Sequence, residues 1–324
     1  MGVLKIDNRY SLNAVKLQSD YYRNLPSCNF VGFCQTYVNT YKRNNAKDRL
    51  TFLNTINHFS NFQGYMDLIY HSNEINKEVL DMFTTYLKTE KNFRLGTIKG
   101  ILIRIKYMLK KCNLNGYSVD NSYQEANVKN EDSFKIYLDV PDIARIYYCD
   151  TLSKKQEELR DIFIVGCMTG LRYSDYSRLT KANVRDGNIY MKTQKTKTDV
   201  CIPMTKYVRE IYEKYNNGFP PPRSIQYFNK WIKIVCKNAG LVEPISHEVE
   251  DKDGKIKTVT NLKYEIITSH TPRSSFITNM VKSKISDVQI MMFTGHRSTS
   301  SFVRYNRMTK EENARSLSGI GYLV

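Results

Sequence analysis

The sequence predicts a mainly α-helical protein with a small β-sheet (α+β), divided into two domains. Three observations carry that expectation. Apolar residues recur at helical spacing from Phe30 to Cys112. Two short β-prone runs, 188–191 and 200–203, flank a polar connection in the second half. Between the patterned halves lies a polar stretch, 113–133, with few large aliphatics. A length of 324 residues suits two domains of ordinary size.

Residues 1–28 carry little regular pattern and read as an N-terminal extension. Phe30, Phe33, Cys34, Tyr37, Val38 and Tyr41 then repeat at i, i+3, i+4, i+7, i+8 and i+11, one apolar helical stripe. A second helix is expected over 49–59, and a third is marked by Ile75, Val79, Met82, Phe83 and Tyr86. The fourth carries Ile98, Ile101, Leu102, Ile105, Leu109 and Cys112 and ends near Gly116. These four define a helical domain over 29–116, followed by a linker over 117–133. Lys99, Lys106 and Lys110 share a different face of the fourth helix. Singly they read as solvated charges; together they are candidates for contacts to a nucleic-acid backbone, which set affinity and register without reading sequence.

The second domain, 134–324, opens toward an almost wholly apolar run at 161–171 (DIFIVGCMTGL), expected as a buried helix. The runs at 188–191 and 200–203 predict a hairpin, and 205–215 and 225–240 predict helices. Asp251-Lys252-Asp253-Gly254 is a turn signal between extended segments. A helix from Pro272, another over 286–293 and short helices near Tyr305 and over 309–316 complete the list.

Charge narrows the function. Lysine and arginine number 49 against 32 acidic residues, a net charge of +17. Residues 1–133 hold 18 basic and 12 acidic side chains and the remainder 31 and 20, so both halves are cationic. That distribution is the footprint of a protein meeting phosphates along its length. The seven cysteines form no CxxC pair, and several lie on apolar helical faces, which argues for reduced, buried thiols over zinc ligands or disulfides. No metal-ligand spacing occurs, and no cofactor is expected. No apolar run approaches the ~20 residues needed to cross a bilayer, and residues 1–13 lack a secretory core. A cytoplasmic protein without a membrane partner is the expectation.

Four local strings carry chemistry. They are Thr169-Gly170-Leu171-Arg172; Lys195, eight residues before Pro203; His270-Thr271-Pro272-Arg273; and Gly295-His296 with Tyr305 nine residues on. Two guanidiniums, a lysine and two histidines can surround one phosphate, and a tyrosine can attack it. Thr271 and Pro272 suit the start of a helix, where an anion is favoured. Asp175 follows Arg172 closely enough to orient it or the loop around it.

This ordered set resembles the tyrosine recombinase (phage integrase) family, over roughly residues 30–310. The string Thr-Gly-Leu-Arg-Tyr-Ser-Asp at 169–175 is most similar to its mobile-element branch. The resemblance implies an N-terminal helical core-binding (SAM-like) domain and a mixed α/β catalytic domain that close on double-stranded DNA as a C-shaped clamp. It implies Arg172, Lys195, His270, Arg273, His296 and Tyr305 as the catalytic set, with Lys195 as general acid. Lys192 and Lys197 share that loop, and the spacing to Pro203 selects Lys195. It further implies a 3′-phosphotyrosine intermediate, a Holliday junction and a homotetramer on two synapsed sites, with an accessory DNA-bending protein possible. The segment 309–324, with its apolar end Ile320, Tyr322, Leu323 and Val324, is expected to dock on a neighbouring subunit rather than its own. Two departures from the family pattern, Ser274 and Pro272, remove no functional group. With about 28 residues before the first helix, a full arm-binding domain is not expected. The alternatives are a type IB topoisomerase, which shares the nucleophile, and a non-catalytic DNA-binding regulator of the same fold.

Overall fold

The structure, a computed structural model, describes residues 25–40, 46–129, 134–250 and 256–317. The chain divides after residue 132 into two compact units.

The first unit holds α1 (Phe30–Thr40), α2 (Ala46–Met66), α3 (Lys77–Thr89) and α4 (Leu95–Leu114). The stripe that predicts α1 buries Phe30, Cys34 and Val38; Tyr41 lies outside the described residues. An aromatic cluster fills the centre. Phe59 meets Phe30 at 5.2 Å and Phe83 at 5.0 Å, both edge-to-face, and Phe62 stacks on Tyr70 at 6.0 Å. Such pairs add to the burial of their large apolar area. Asn76 caps α3 by accepting from the Val79 N–H, with Ile75 before the cap and Leu80 after it both fully buried. α2 extends well beyond the expected 49–59.

The expected linker over 117–133 is corrected in its first two-thirds. Tyr123, Ala126 and Val128 are buried in the core of the helical unit, and Tyr117 packs edge-to-face on Phe33 at 5.6 Å. Asp120 caps a short 3-10 turn (Asn121–Gln124). The physical reason is that a few well-placed apolar groups anchor a segment whose average polarity suggests solvent. The end of the expected extension joins the same unit: Ser118 N–H donates to Pro26 C=O, and Ser72 N–H to Cys28 C=O, both at 2.9 Å. Residues 1–24 lie outside the described residues.

The second unit is organised around α6 (Lys154–Thr169), preceded by α5 (Val140–Tyr147). The apolar half of α6 is buried as predicted, from Leu159 to Cys167. Its first turns are polar and carry a capping box, Ser153 with Gln156. At Gly166 a Cβ would stand 2.9 Å from the Tyr176 ring and 3.0 Å from Pro272, so glycine lets both neighbours close on the helix. α7 (Tyr173–Tyr176) follows, then the antiparallel sheet β1 (Val184–Arg185), β2 (Asn188–Lys192) and β3 (Asp199–Pro203). The predicted hairpin is β2–β3, in register from Asn188↔Pro203 to Lys192↔Asp199. α8 (Lys206–Lys214) and α9 (Ile225–Asn238) cover α6. A second hairpin pairs β4 (Pro244–Glu250) with β5 (Ile256–Leu262); its turn at 251–254 lies outside the described residues. His247 of β4 stacks on Phe134 at 4.2 Å.

After α10 (Lys263–Ile266) come α11 (Thr271–Lys282), α12 (Asp287–Thr294), α13 (Thr299–Val303) and α14 (Lys310–Leu317). α14 is held within its own chain: Glu312 accepts from the Tyr137 hydroxyl and pairs with Lys282 at 3.1 Å. These intrachain contacts hold residues 310–317, and 318–324 lie outside the described residues. All seven cysteines are free, and only Cys201 is exposed. Among the described residues, no helix is long and apolar enough to cross a membrane.

Candidate active site

Arg273 enters the interior through the first turn of α11 and is only 1 % exposed. A buried guanidinium needs acceptors, and two helix ends supply them. Its Nη1 donates to Gly170 C=O at 2.8 Å and to Thr294 C=O at 2.9 Å. Both α6 and α12 stop at a left-handed glycine, Gly170 (φ 63°) and Gly295 (φ 65°). Carbonyls at a helix C-terminus lack helical partners and carry the negative end of the dipole, so the cation satisfies both ends at once. Gly170 has a second constraint, since a Cβ there would stand 2.3 Å from Phe276 Cδ1.

His296, 7 % exposed, follows Gly295 and receives Arg273 Nη2 on its Nε2 at 2.8 Å. Its Nδ1 lies 2.8 Å from the Thr294 hydroxyl, which itself donates to Ile290 C=O. That network assigns a neutral ring with the proton on Nδ1. Burial, then Arg273 and Arg172, push its pKa down to about 3. Burial, and then Arg172, likewise push Arg273 down to about 9. In this pair of arginines, Arg273 Nε and Arg172 Nη1 are buried with no hydrogen-bond partner among the described residues.

Tyr305 follows α13, its N–H bonded to Phe302 C=O at 2.8 Å. Its ring lies 5.4 Å from the His296 ring, and the Arg273 guanidinium carbon is 5.0 Å from its centroid. Arg172 caps α7 directly after the Gly170 turn. His270 occupies the cap position of α11. Its pKa is lowered by burial and by the surrounding cations Lys135, Arg273, Arg172 and Lys195. Lys195 is exposed at the tip of the β2–β3 hairpin. The structure thus packs Arg273, His296 and Tyr305 together in one chain, with Arg172 acting on Arg273 and His296, and with His270 within electrostatic reach of Arg273, Arg172 and Lys195.

Asp175 is fully buried and orients the loop rather than Arg172. Its Oδ1 accepts the Gln194 N–H at 2.9 Å, and Arg178 stands 3.5 Å away. Several residues of the site carried no sequence signal: Lys135 beside His270, Thr294 beneath His296, and Asn229, which accepts the Ser269 N–H at 2.7 Å and fixes the turn before His270. Lys135 and Asn229 act across long sequence separations, while Thr294 sits two residues before His296 and shows its role only through the helix end that places it.

In the first unit, Lys106 donates to Gln124 C=O at 2.8 Å. Lys106 and Lys110 line one pocket with Ile103, Tyr107 and Leu114, and Lys99 is half-buried on the same helix. The 3-10 turn thus occupies one of the three lysines proposed for phosphate contact.

Residues 137–312 match the model of the phage integrase family. The chain belongs to the phage integrase family. Residues 29–131 match the phage integrase SAM-like domain, so this integrase-family chain carries both the helical and the catalytic domain of the tyrosine recombinases. A lambda integrase dimer bound to a COC′ core site superposes with a TM-score of 0.66 at 14 % identity, covering 94 % of this chain and 82 % of that one. The Tn1549 transposon integrase in complex with transposon right end DNA gives a TM-score of 0.66 at 11 % identity, covering 90 % and 99 %. A lambda integrase tetramer bound to a Holliday junction gives 0.63 at 15 %, covering 91 % and 83 %. At these identities the likeness is one of fold. No curated relative matches the sequence.

Proposed function

We propose that this chain is a site-specific DNA recombinase that cuts and rejoins strands through Tyr305. The Tyr305 phenolic oxygen attacks the scissile phosphorus, forming a 3′-phosphotyrosyl bond, while the bond to the 5′ oxygen breaks. His270 takes the phenolic proton and Lys195 delivers one to the departing 5′ oxygen. Arg172 and Arg273 hold the two non-bridging oxygens, where charge grows in the five-coordinate transition state. His296 stays neutral and buttresses the Arg273 guanidinium. The ester retains the bond energy, so a 5′ hydroxyl from the partner strand reverses the reaction without ATP. Two rounds of this exchange pass through a Holliday junction, in a homotetramer on two synapsed sites of double-stranded DNA.

The observation that carries this reading is the Arg273–Tyr305 juxtaposition at 5.0 Å within one chain. The net charge of +17 supports the substrate class. Further parts of the reading are phosphate contacts from Lys99 and Lys110, closure of both domains around DNA, docking of 309–324 on a neighbouring subunit, a bending protein as helper and a cytoplasmic site of action. The DNA beside the gene distinguishes the reactions: repeats flanking a mobile element mean integration or excision, and inverted repeats beside a promoter mean inversion.

The test is a nicked duplex of that flanking DNA, whose cleaved end diffuses away and traps the adduct. The wild type is expected to accumulate covalent protein–DNA complex, and Tyr305→Phe none. Absence of adduct from the wild type would point to a DNA-binding regulator. Relaxation of a supercoiled plasmid without the flanking sequences would point to a topoisomerase.

A further inference from the structure

The hairpin tip between β2 and β3 is closed on itself by threonines. Thr193 N–H donates to Thr198 C=O at 2.9 Å, and Lys197 N–H to Thr193 C=O at 3.0 Å. Lys197 takes the left-handed conformation, φ 52°, that turns the chain back. The Thr193 hydroxyl accepts the Thr198 N–H at 3.1 Å and lies 2.8 Å from the Thr196 hydroxyl. Gln194, Lys195, Thr196 and Lys197 form the loop that this ring closes.

Two bonds then fix the loop to the rest of the site, one on each side of Lys195. Gln194 N–H donates to the buried Asp175 carboxylate at 2.9 Å, three residues after Arg172. The Thr196 hydroxyl donates to Gly295 C=O at 3.0 Å, immediately before His296. At Gly295 the hairpin and the helix end touch: a Cβ there would stand 3.1 Å from Thr193 Cγ2 and 3.4 Å from Val200 Cγ1. Lys195 itself is exposed and carries a long, flexible side chain, so its backbone anchor decides where its ammonium spends its time.

We infer that Thr196 is a positioning residue for the reaction, its hydroxyl latching the Lys195 loop to the helix end that carries His296. This rests on the reading of Lys195 as the acid that protonates the 5′ oxygen. Of the two latches, the Asp175 one is made by a backbone N–H that any residue at 194 supplies. The Thr196 latch is made by a side chain, and valine keeps its shape while removing the bond. Without that hydroxyl the loop keeps the backbone bonds of its turn but loses its tie to Gly295, along with the contact to the Thr193 hydroxyl, and misplacement of a catalytic group by about 1 Å costs on the order of 100-fold.

The test compares two duplexes, identical except that sulfur replaces the bridging 5′ oxygen at the phosphate the wild type cuts. A thiolate leaves without being protonated, so sulfur DNA bypasses the general acid and nothing else. On ordinary DNA, Thr196→Val is expected to form adduct about 10- to 100-fold more slowly than the wild type. Thr196→Ser, which keeps the hydroxyl, should stay within about 3-fold on the same reasoning. On sulfur DNA, Thr196→Val and Lys195→Ala should both approach the wild-type rate. A Thr196→Val deficit that persists on sulfur DNA, or no deficit on ordinary DNA, overturns the latch while leaving the recombinase reading intact. If Lys195→Ala is not rescued by sulfur, the role of Lys195 falls and the latch falls with it. If the wild type makes no adduct on either duplex, the parent reading itself has failed.

Discussion

The two units of this chain fill their interiors differently. The helical unit buries hydrocarbon: Phe30, Phe59, Phe62, Phe83 and the apolar rows of α3 and α4, with Thr55, Gln63 and Ser72 as its buried polar residues among those described. The catalytic unit has a comparable apolar core around α6, yet beside it buries Asp175, Arg273, His296, Thr294 and a run of polar residues in α11. Hydrocarbon packing stabilises wherever it occurs, whereas a buried cation costs free energy unless its acceptors are prepared. The contrast separates an interior that is hydrocarbon almost throughout from one that also holds a buried cation and the acceptors prepared for it.

The sharpest way to probe the first half of that contrast is Phe83→Ala. It removes a fully buried ring in contact with Phe59 and Phe62, and a loss of about 3–5 kcal/mol is expected. Hydrogen exchange across residues 29–129 reads it, and near-wild-type protection would show the aromatic cluster to be dispensable.

Arg273→Lys probes the second half. It keeps the charge but removes the fork that spans Gly170 C=O, Thr294 C=O and His296. Adduct formation should fall about 100- to 1000-fold, the range for loss of one oriented transition-state donor. A variant that melts earlier yet cuts normally would reassign the arginine to structure.

Gly170→Ala tests whether the turn before Arg172 is as tight as its geometry says. With φ at 63° and a Cβ 2.3 Å from Phe276 Cδ1, a destabilisation of about 2–3 kcal/mol is expected from strain and overpacking. An unchanged melting temperature would contradict the close approach.

The last prediction concerns pH. The folded pKa of His296, about 3, lies below the unfolded value near ~6.5. Between those values the unfolded chain binds the extra proton, so stability is full above pH ~6.5 and is lost as pH falls. His296→Asn should therefore flatten the acid side of the stability profile, by at most about 1.4 kcal/mol per pH unit. An equally steep acid limb in the variant would show that another group titrates there.

The strings around Arg172, Arg273, His296 and Tyr305 were legible because the chemistry fixes residue types within a few positions of each other, and helix ends such as Gly170 and Gly295 leave their own mark. Elements with long periodic stripes, α1 and α4, were equally open to reading. What the sequence withheld depends on contacts between distant positions. Tyr123, Ala126 and Val128 look like sparse hydrophobes in a polar stretch until the helical unit offers them a surface. Glu312 finds Tyr137 and Lys282 across most of the catalytic unit. Asp175 could be paired on paper with Arg172, and the fold gives it to Gln194 instead.

The carbonyl of Gly295 joins a threonine on one strand connection to the residue bearing the buttressing imidazole. Anyone transplanting this hairpin into a related scaffold to alter its turnover would inherit a module with two ends. Grafted without the glycine-terminated helix, the lysine would arrive on an arm tied at one side only, and the two must move as one cassette.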